Sequence, residues 1–500
     1  MNSNKKKIIS NLFVGFGGQL ITICLGIVLP RLLLTSFGSE VNGLVSTVTQ
    51  LYTYIAILEA GIGAASLNAL YKCFAQKDNT GIADTLSATK IYFRRVSVVY
   101  GICVVAATVL LPFALETQID KMTVALVVLL QGLSGLVNFS LVAAYEQLLL
   151  ADGKAYVTSL INLMVTVLSY AARIVAISLG CSIVVVQTAF LLVSVTKAIV
   201  LYIYYRKNYP WIKYNKKADL SILKNRSAFM IHEISGVINH SSAVLIISIF
   251  CDLKQASVYT VYSLIYNNLR TLMNKISGSF DYYLGQTFHR SREEHQKLHD
   301  LIETYYIAFS FAIFTAAFCV TLPFIRLYTA GVNDADYLDV LLPYLFVIIE
   351  LFSAVRSVAS KLILISGNAK TTRINAIIQA SITLTCSLIF VQFLGLHGVL
   401  LGSVASEIYR VNDMLIFSNR KILNRKPYKI YFVMMVCFLV FAMFAVVNHL
   451  LNITITSYIQ FAGFGIITLV STCVVYFMII SLVRLDLLKM LLGILYSRKR

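Results

Sequence analysis

"GIVLPRLLLTSFGSEVNGL", residues 26–44, is an apolar run, a short polar corner around Gly38 and the opening of a second apolar run. Pro30 and Arg31 lie inside the first run. A charge at mid-bilayer costs about 2.5–3.5 kcal/mol even on the lenient insertion scale. Arg31 therefore either snorkels to the interface or faces a wet, protein-lined cavity. Counting about 20 residues of hydrocarbon core from an interface near residue 10 puts it close to the outer boundary. Pro30 is a place for the helix to kink toward a cavity. If both runs span a membrane, the corner is a tight outer loop, and the rest of the chain should repeat the pattern.

It does. Of 500 residues, 58% are hydrophobic and 13% charged, where a soluble domain carries about twice that charge. The nine cysteines lie mostly in apolar runs with no Cys-x-x-Cys pair, and read as small hydrophobes rather than a disulfide frame or a zinc site. Lys5, Lys6 and Lys7 precede a run too long for a signal peptide and without a small-x-small cleavage site, so it reads as an uncleaved first helix. Windows of roughly 20 apolar residues place spans near 9–35, 42–70, 92–115, 121–149, 156–179, 182–205, 226–250, 256–288, 300–328, 338–365, 371–394, 397–419, 430–449 and 453–483. The chain reads as an all-α integral membrane protein of about 14 helices.

An even number of spans puts both termini on one side, where basic residues gather. Loops on the other side hold only Lys121 and Lys254, with Glu40, Glu116, Asp120, Asp252, Asp334, Asp336 and Asp339. The net charge of +19 is thus a cytoplasmic face against anionic membrane lipid rather than a nucleic-acid footprint.

The two halves echo each other at an offset of about 211–216 residues. "FGSEVNGLV" (37–45) answers "FCDLKQASV" (250–258), "LLPF" (110–113) answers "TLPF" (321–324), and "LLLADGKAYVTSLIN" (148–162) answers "ILISGNAKTTRINAI" (363–377). Six spans per repeat give two lobes entering the membrane in the same direction, with a substrate site expected near the midplane between them. The organisation expected is an N-lobe 1–206, a cytoplasmic linker 207–225, a C-lobe 226–421, an appended helix pair 430–483 and a basic tail 484–500.

Charges inside spans are expensive and so must be paired or functional. Glu407, Arg410 and Asp413 recur at i, i+3, i+6 and can bridge one another. Glu146 and Arg173 are placed to pair across a lobe. Arg270, with Asn267, Asn274 and Lys275, forms a polar stripe that membranes tolerate only against protein or water. Glu59, among the small residues of "LEAGIGAAS" (58–66), and Glu350 are candidate ion-coupling carboxylates; Arg356 is a further mid-span candidate. No Ser/His/Asp set, metal cluster or phosphate-cradling loop appears, and the two histidines of "GQTFHRSREEH" (285–295) read as a solvated loop. Outer loops are too short to hold an active site, so neither catalysis nor a cofactor is expected.

"LPRLLLTSFGSEVNGLVST", "LEAGIGAAS" and "LLLADGKAYVTSLINL" resemble the polysaccharide-exporter branch of the multidrug/oligosaccharidyl-lipid/polysaccharide (MOP) superfamily, the Wzx-type O-antigen and capsule flippases. The resemblance covers essentially the whole chain. It implies a V-shaped pair of six-helix lobes plus two C-terminal helices. It also implies alternating access and outward transfer of an undecaprenyl-pyrophosphate-linked oligosaccharide across a bacterial plasma membrane, with a polysaccharide polymerase or glycosyltransferases as partners. Cations on the first and eighth helices would line the cavity, here Arg31, Arg270 and Lys275; the second helix offers Glu59 instead. A diphosphate suits guanidinium forks. The rival readings are a cation-coupled multidrug exporter of the same superfamily, which wants a carboxylate-rich cavity, and a membrane glycan polymerase or transferase.

Overall fold

A computed structural model of the protein describes residues 2–59, 62–212, 214–215, 227–368, 371–451 and 455–497. Side chains are described from Ile21 onward, except at 64, 75, 227–233, 240, 281–283, 286, 289 and 494–497. The side chains of Glu233 and Asp281, together with Lys370 and the linker from 216 to 226, lie outside what is described.

The described residues form helices joined by short turns, with no strand among them. Helix α1 (Asn2–Ile55) keeps helical dihedrals through Pro30; its one non-helical residue is Gly38 (φ 84°, ψ 177°). The break between the first two spans thus falls in the polar corner, where the spans 9–35 and 42–70 put it, at a residue whose missing Cβ opens that region of backbone space, while the kink expected at Pro30 leaves the helical dihedrals intact. A 3₁₀ turn, Ala56–Glu59, interrupts the second span before α2 (Ile62–Ala75). Then come α3 (Asn79–Ala114) and α4 (Lys121–Val137), which continues through a π-helical turn (Asn138–Val142) into α5 (Ala143–Ala151). Helices α6 (Ala155–Ser178), α7 (Ile183–Asn208), α8 (Ser227–Phe250) and α9 (Leu253–Gly278) follow. The span expected to reach 288 ends at Gly278, and a separate α10 (Asp281–Arg290) leads into α11 (Arg292–Tyr328) and α12 (Leu341–Ile365). Helix α13 (Arg373–Phe417) is kinked at Gly395 (φ 54°, ψ −132°). The chain closes with α14 (Tyr428–Leu451), α15 (Tyr458–Val483) and α16 (Leu485–Ser497).

Among the described residues, ten helices are long and apolar enough to cross a membrane. Dividing α1 and α13 at their glycines and adding α8 and α9 gives the fourteen passes read from the sequence. The lipid-facing side is plain on α3, where Val98, Ile102, Val105, Val109 and Phe113 are all exposed at helical spacing. In α13 the two halves fold back on each other. Ser387 donates to the Val399 carbonyl at 3.0 Å, and a Cβ on Gly398 would lie 2.2 Å from the Phe390 carbonyl oxygen. Small residues permit that backbone approach.

The repeat is visible in the backbone. Helices α3 and α11 run 36 and 37 residues, are N-capped by Asp78 and Ser291, and carry Pro112 and Pro323 near their ends. Positive-φ glycines close the same junctions in each half: Gly153 answers Gly367, and Gly180 answers Gly395.

By packing, the chain divides into two compact units, unit 1 comprising 1–257 with 332–335, and unit 2 comprising 258–331 with 336–500. Within unit 1 the α1 corner meets the start of α9. Asn42 donates to Ser257 at 2.8 Å, the hydroxyls of Thr47 and Ser248 lie 2.6 Å apart, and a Cβ on Gly43 would lie 1.9 Å from the Leu253 carbonyl oxygen. These are the neighbourhoods of the echoed stretches 37–45 and 250–258. They pair in antiparallel order, as segments related by a local two-fold axis do. Asp334 seals the corner by accepting from the Ser39 amide at 2.7 Å and its hydroxyl at 2.6 Å.

In unit 2, α11 packs against α12, α14 and α15. Tyr262 and Tyr266 stack on Phe346, and buried Tyr476 of α15 shares a hydrogen bond with Thr315 at 2.9 Å. The helix pair α14–α15, unpartnered in the repeat, is thus keyed into the core by a buried polar contact.

Candidate functional site

Helix α9 has two faces. Tyr262, Tyr266 and Met273 are buried on one, while Asn267, Thr271, Asn274 and Lys275 are exposed on the other. The polar stripe read from the sequence is therefore real, with one member turned aside. Arg270 points to α12, where its Nε lies 3.0 and 2.9 Å from the two carboxylate oxygens of Glu350 and its Nη2 completes the bidentate pair. Glu350 is 1% exposed. The structure thus joins two residues to which the sequence assigned separate tasks, substrate binding and ion coupling.

The pairing continues along the interior. Arg356 forks onto Glu407 at 2.7 and 3.0 Å, with Gln379 donating to the same carboxylate at 3.2 Å. Arg410 holds Asp413 at 2.7 Å, and Asn375 also donates to Asp413. Of the triad spaced i, i+3, i+6, the Arg410–Asp413 bridge forms; Glu407 is claimed by another helix. Arg356 is likewise a neutralised cation rather than an open one.

In unit 1 the expected Glu146–Arg173 pair does not form. Glu146 is bridged by Lys197 of α7 at 3.0 Å. Arg173 instead donates to Ser169 one turn back and lies over the rings of Tyr170 and Phe190. Arg31 is half-buried on α1, and Glu59 is half-buried at the end of the 3₁₀ turn.

Two features escaped sequence reading. The first is a buried cluster on α11, where His299, Asp300 and Glu303 lie close enough to share a metal ion. Arg425 pairs with Asp300 and stands 3.7 Å from Glu303, and Arg484 lies 3.9 Å from Asp300, so cations already neutralise these carboxylates and the donors do not suit a metal. His295, read as part of a solvated loop, is buried beside them and shares a hydrogen bond with Thr287 at 3.1 Å. The i, i+4 spacing of His295, His299 and Glu303 was the available signal. The second is an apolar groove of about 650 Å³ in unit 2, walled by Ile276, Phe280, Tyr305, Phe309, Val474 and Phe477. Among the described residues lining it none is acidic, and Lys275 immediately precedes Ile276 on its wall.

No sequence-family profile matches the chain, and no curated protein sequence does. Solved structures do. The lipid II flippase MurJ in an inward closed conformation aligns at TM-score 0.68 and 16% identity over 95% of this chain and 100% of its own. An inward-facing multidrug resistance MATE family transporter of the MOP superfamily aligns at 0.64 and 14%, over 80% and 94%. A MOP superfamily transporter from Pyrococcus furiosus, described as having a binding pocket of reverse polarity, aligns at 0.60 and 16%, over 84% and 97%. At these identities the likeness is one of fold. The chain is a multi-pass membrane protein with the MOP transporter fold, and the neighbours are transporters and flippases rather than enzymes.

Proposed function

We propose that the protein is a flippase for a lipid-linked oligosaccharide of the undecaprenyl-pyrophosphate type. It would act in a bacterial plasma membrane with both termini and the basic loops toward the cytoplasm. One observation carries the reading: an apolar groove of about 650 Å³ whose wall includes Ile276, the residue that follows the exposed Lys275 on α9. A prenyl chain fills such a groove by the hydrophobic effect, while the ammonium and the exposed amides of Asn267 and Asn274 meet the diphosphate and first sugar. Arg270–Glu350 and Arg356–Glu407 then act as paired scaffolding that holds α9 and α12 in place, rather than as the clamp itself. Arg31 is proposed as a further substrate contact and Glu59 as a coupling carboxylate, both within unit 1.

A cation-coupled drug exporter needs carboxylates to spare. Here Glu146, Glu350, Glu407 and Asp413 are each bridged by a lysine or arginine. Purified protein reconstituted with a fluorescent undecaprenyl-pyrophosphate disaccharide should equilibrate the label between leaflets, read by quenching of the outer leaflet. Lys275→Gln should slow that transfer by about 10-fold, the worth of one charge-assisted contact. Transport of ethidium with no movement of the lipid would instead identify a drug exporter, and then a polymerase or glycosyltransferase partner would not be sought.

A further inference from the structure

Unit 1 contains a cavity of about 620 Å³ between α1, α4, α6 and α7, distinct from the groove in unit 2. Its size falls within the ordinary range of small-molecule sites, about 300–1,000 Å³. Its lining is unusual for a lobe buried in a bilayer: the amides of Gln131, Asn138 and Gln187, the hydroxyls of Thr49 and Ser194, and two cations, Arg173 and Lys197.

The charges do not cancel. Lys197 is matched by Glu146 at 3.0 Å and touches the Asn138 amide oxygen at 3.5 Å. Among the described residues, Arg173 has no carboxylate partner. Its Nε and Nη2 bond to Ser169 at 3.3 and 3.2 Å, and its guanidinium lies 5.1 and 4.8 Å from the ring centres of Tyr170 and Phe190. The two rings hold the guanidinium plane, so the remaining donors need little ordering to meet an anion. A second orphan faces the same space: Gln187 is 1% exposed, lines the cavity, and its Oε1 has no hydrogen-bond donor. An unpaired buried acceptor costs about 1–3 kcal/mol. The cavity thus lacks one negative charge and one hydroxyl or amide donor. A halide supplies only the first, and a neutral sugar only the second.

We propose that this cavity receives a carboxylated sugar of the cargo, its carboxylate on Arg173 and a ring hydroxyl donating to Gln187. The proposal rests on the oligosaccharide reading and narrows it to an acidic glycan.

Its test uses the full-length protein in nanodiscs and two probes of equal length, a hyaluronan tetrasaccharide carrying glucuronates and neutral chitotetraose, with binding read by calorimetry. The acidic probe should bind at least about 10-fold tighter, as expected when one charge-assisted contact discriminates. Arg173→Gln should abolish the preference, and Arg173→Lys should restore part of it, which separates recognition from folding. Equal binding of the two probes, binding of neither, a preference that survives Arg173→Gln, or displacement by chloride as effective as by free glucuronate would each overturn the proposal. If the acidic preference holds while the reconstituted protein fails to move the labelled lipid, the sugar site stands and the flippase reading falls.

Discussion

Arg270 and Glu350 each make the other tolerable in an apolar interior. Removing one partner of such a buried pair leaves an uncompensated charge and costs about 3–5 kcal/mol, whereas replacing both by apolar residues of similar size is often neutral. Glu350→Gln should therefore lower the melting temperature sharply in detergent, and the double variant Arg270→Met with Glu350→Met should recover most of it. If the double variant also retains lipid transfer, the pair is scaffolding; if it folds but is inert, Arg270 touches the cargo directly. The presence of charge at these depths was legible in the sequence, but its pairing was not. Partners on different helices, as with Glu350, Glu407 and Lys197, are fixed by how neighbouring helices rotate, and no local spacing encodes that. Arg410 and Asp413, three residues apart on one helix, were legible for the same reason in reverse.

Among elements, the α1 corner shows how far local chemistry reaches. Its turn was legible in "FGSEVNG", whereas the additional kink expected at Pro30 does not interrupt the helix, since a proline is accommodated by bending without leaving helical dihedrals. The cap on the new helix comes from Asp334, nearly three hundred residues away. Burial pushes the Asp334 carboxyl up, but the two bonds from Ser39, aided by Lys254, outweigh it and hold the group below the usual carboxylate range. A depressed value means the contribution is fully present above the ordinary carboxylate pKa and is lost as pH falls through the depressed one. Asp334→Asn should cost about 1 kcal/mol at neutral pH, the worth of a typical cap. The melting-temperature gap between wild type and variant should close as the pH drops below about 4. A gap that is constant with pH would mean that the side chain's charge is irrelevant to the cap.

For the molecule as a whole, hydropathy and the internal echo were enough to reach fourteen passes in two like-oriented halves, because lipid imposes one solution on an apolar run, and the motif resemblance supplied the MOP fold. The groove and the cavity were beyond reach, since each is walled by residues from three or more helices far apart in the chain. On the proposed flippase reading, the contact between the α1 corner and the start of α9 is expected to part during the transport cycle. In a variant without native cysteines, Asn42→Cys with Ser257→Cys should form a disulfide on oxidation, stop lipid transfer, and regain it on reduction. Undiminished transfer by the oxidised protein would place the moving parts elsewhere.

The hairpin in α13 bears on how the chain is made. Gly395 joins two passes with no intervening loop, and Gln379 and Ser387 on the first find their partners, Glu407 and the Val399 carbonyl, only on the second. Until the second pass is delivered, Gln379 and Ser387 lack those partners, although Gln392 and His397 supply polar groups at the turn itself. A nascent chain truncated just after 395 should therefore be held in the bilayer less stably than one truncated after 417.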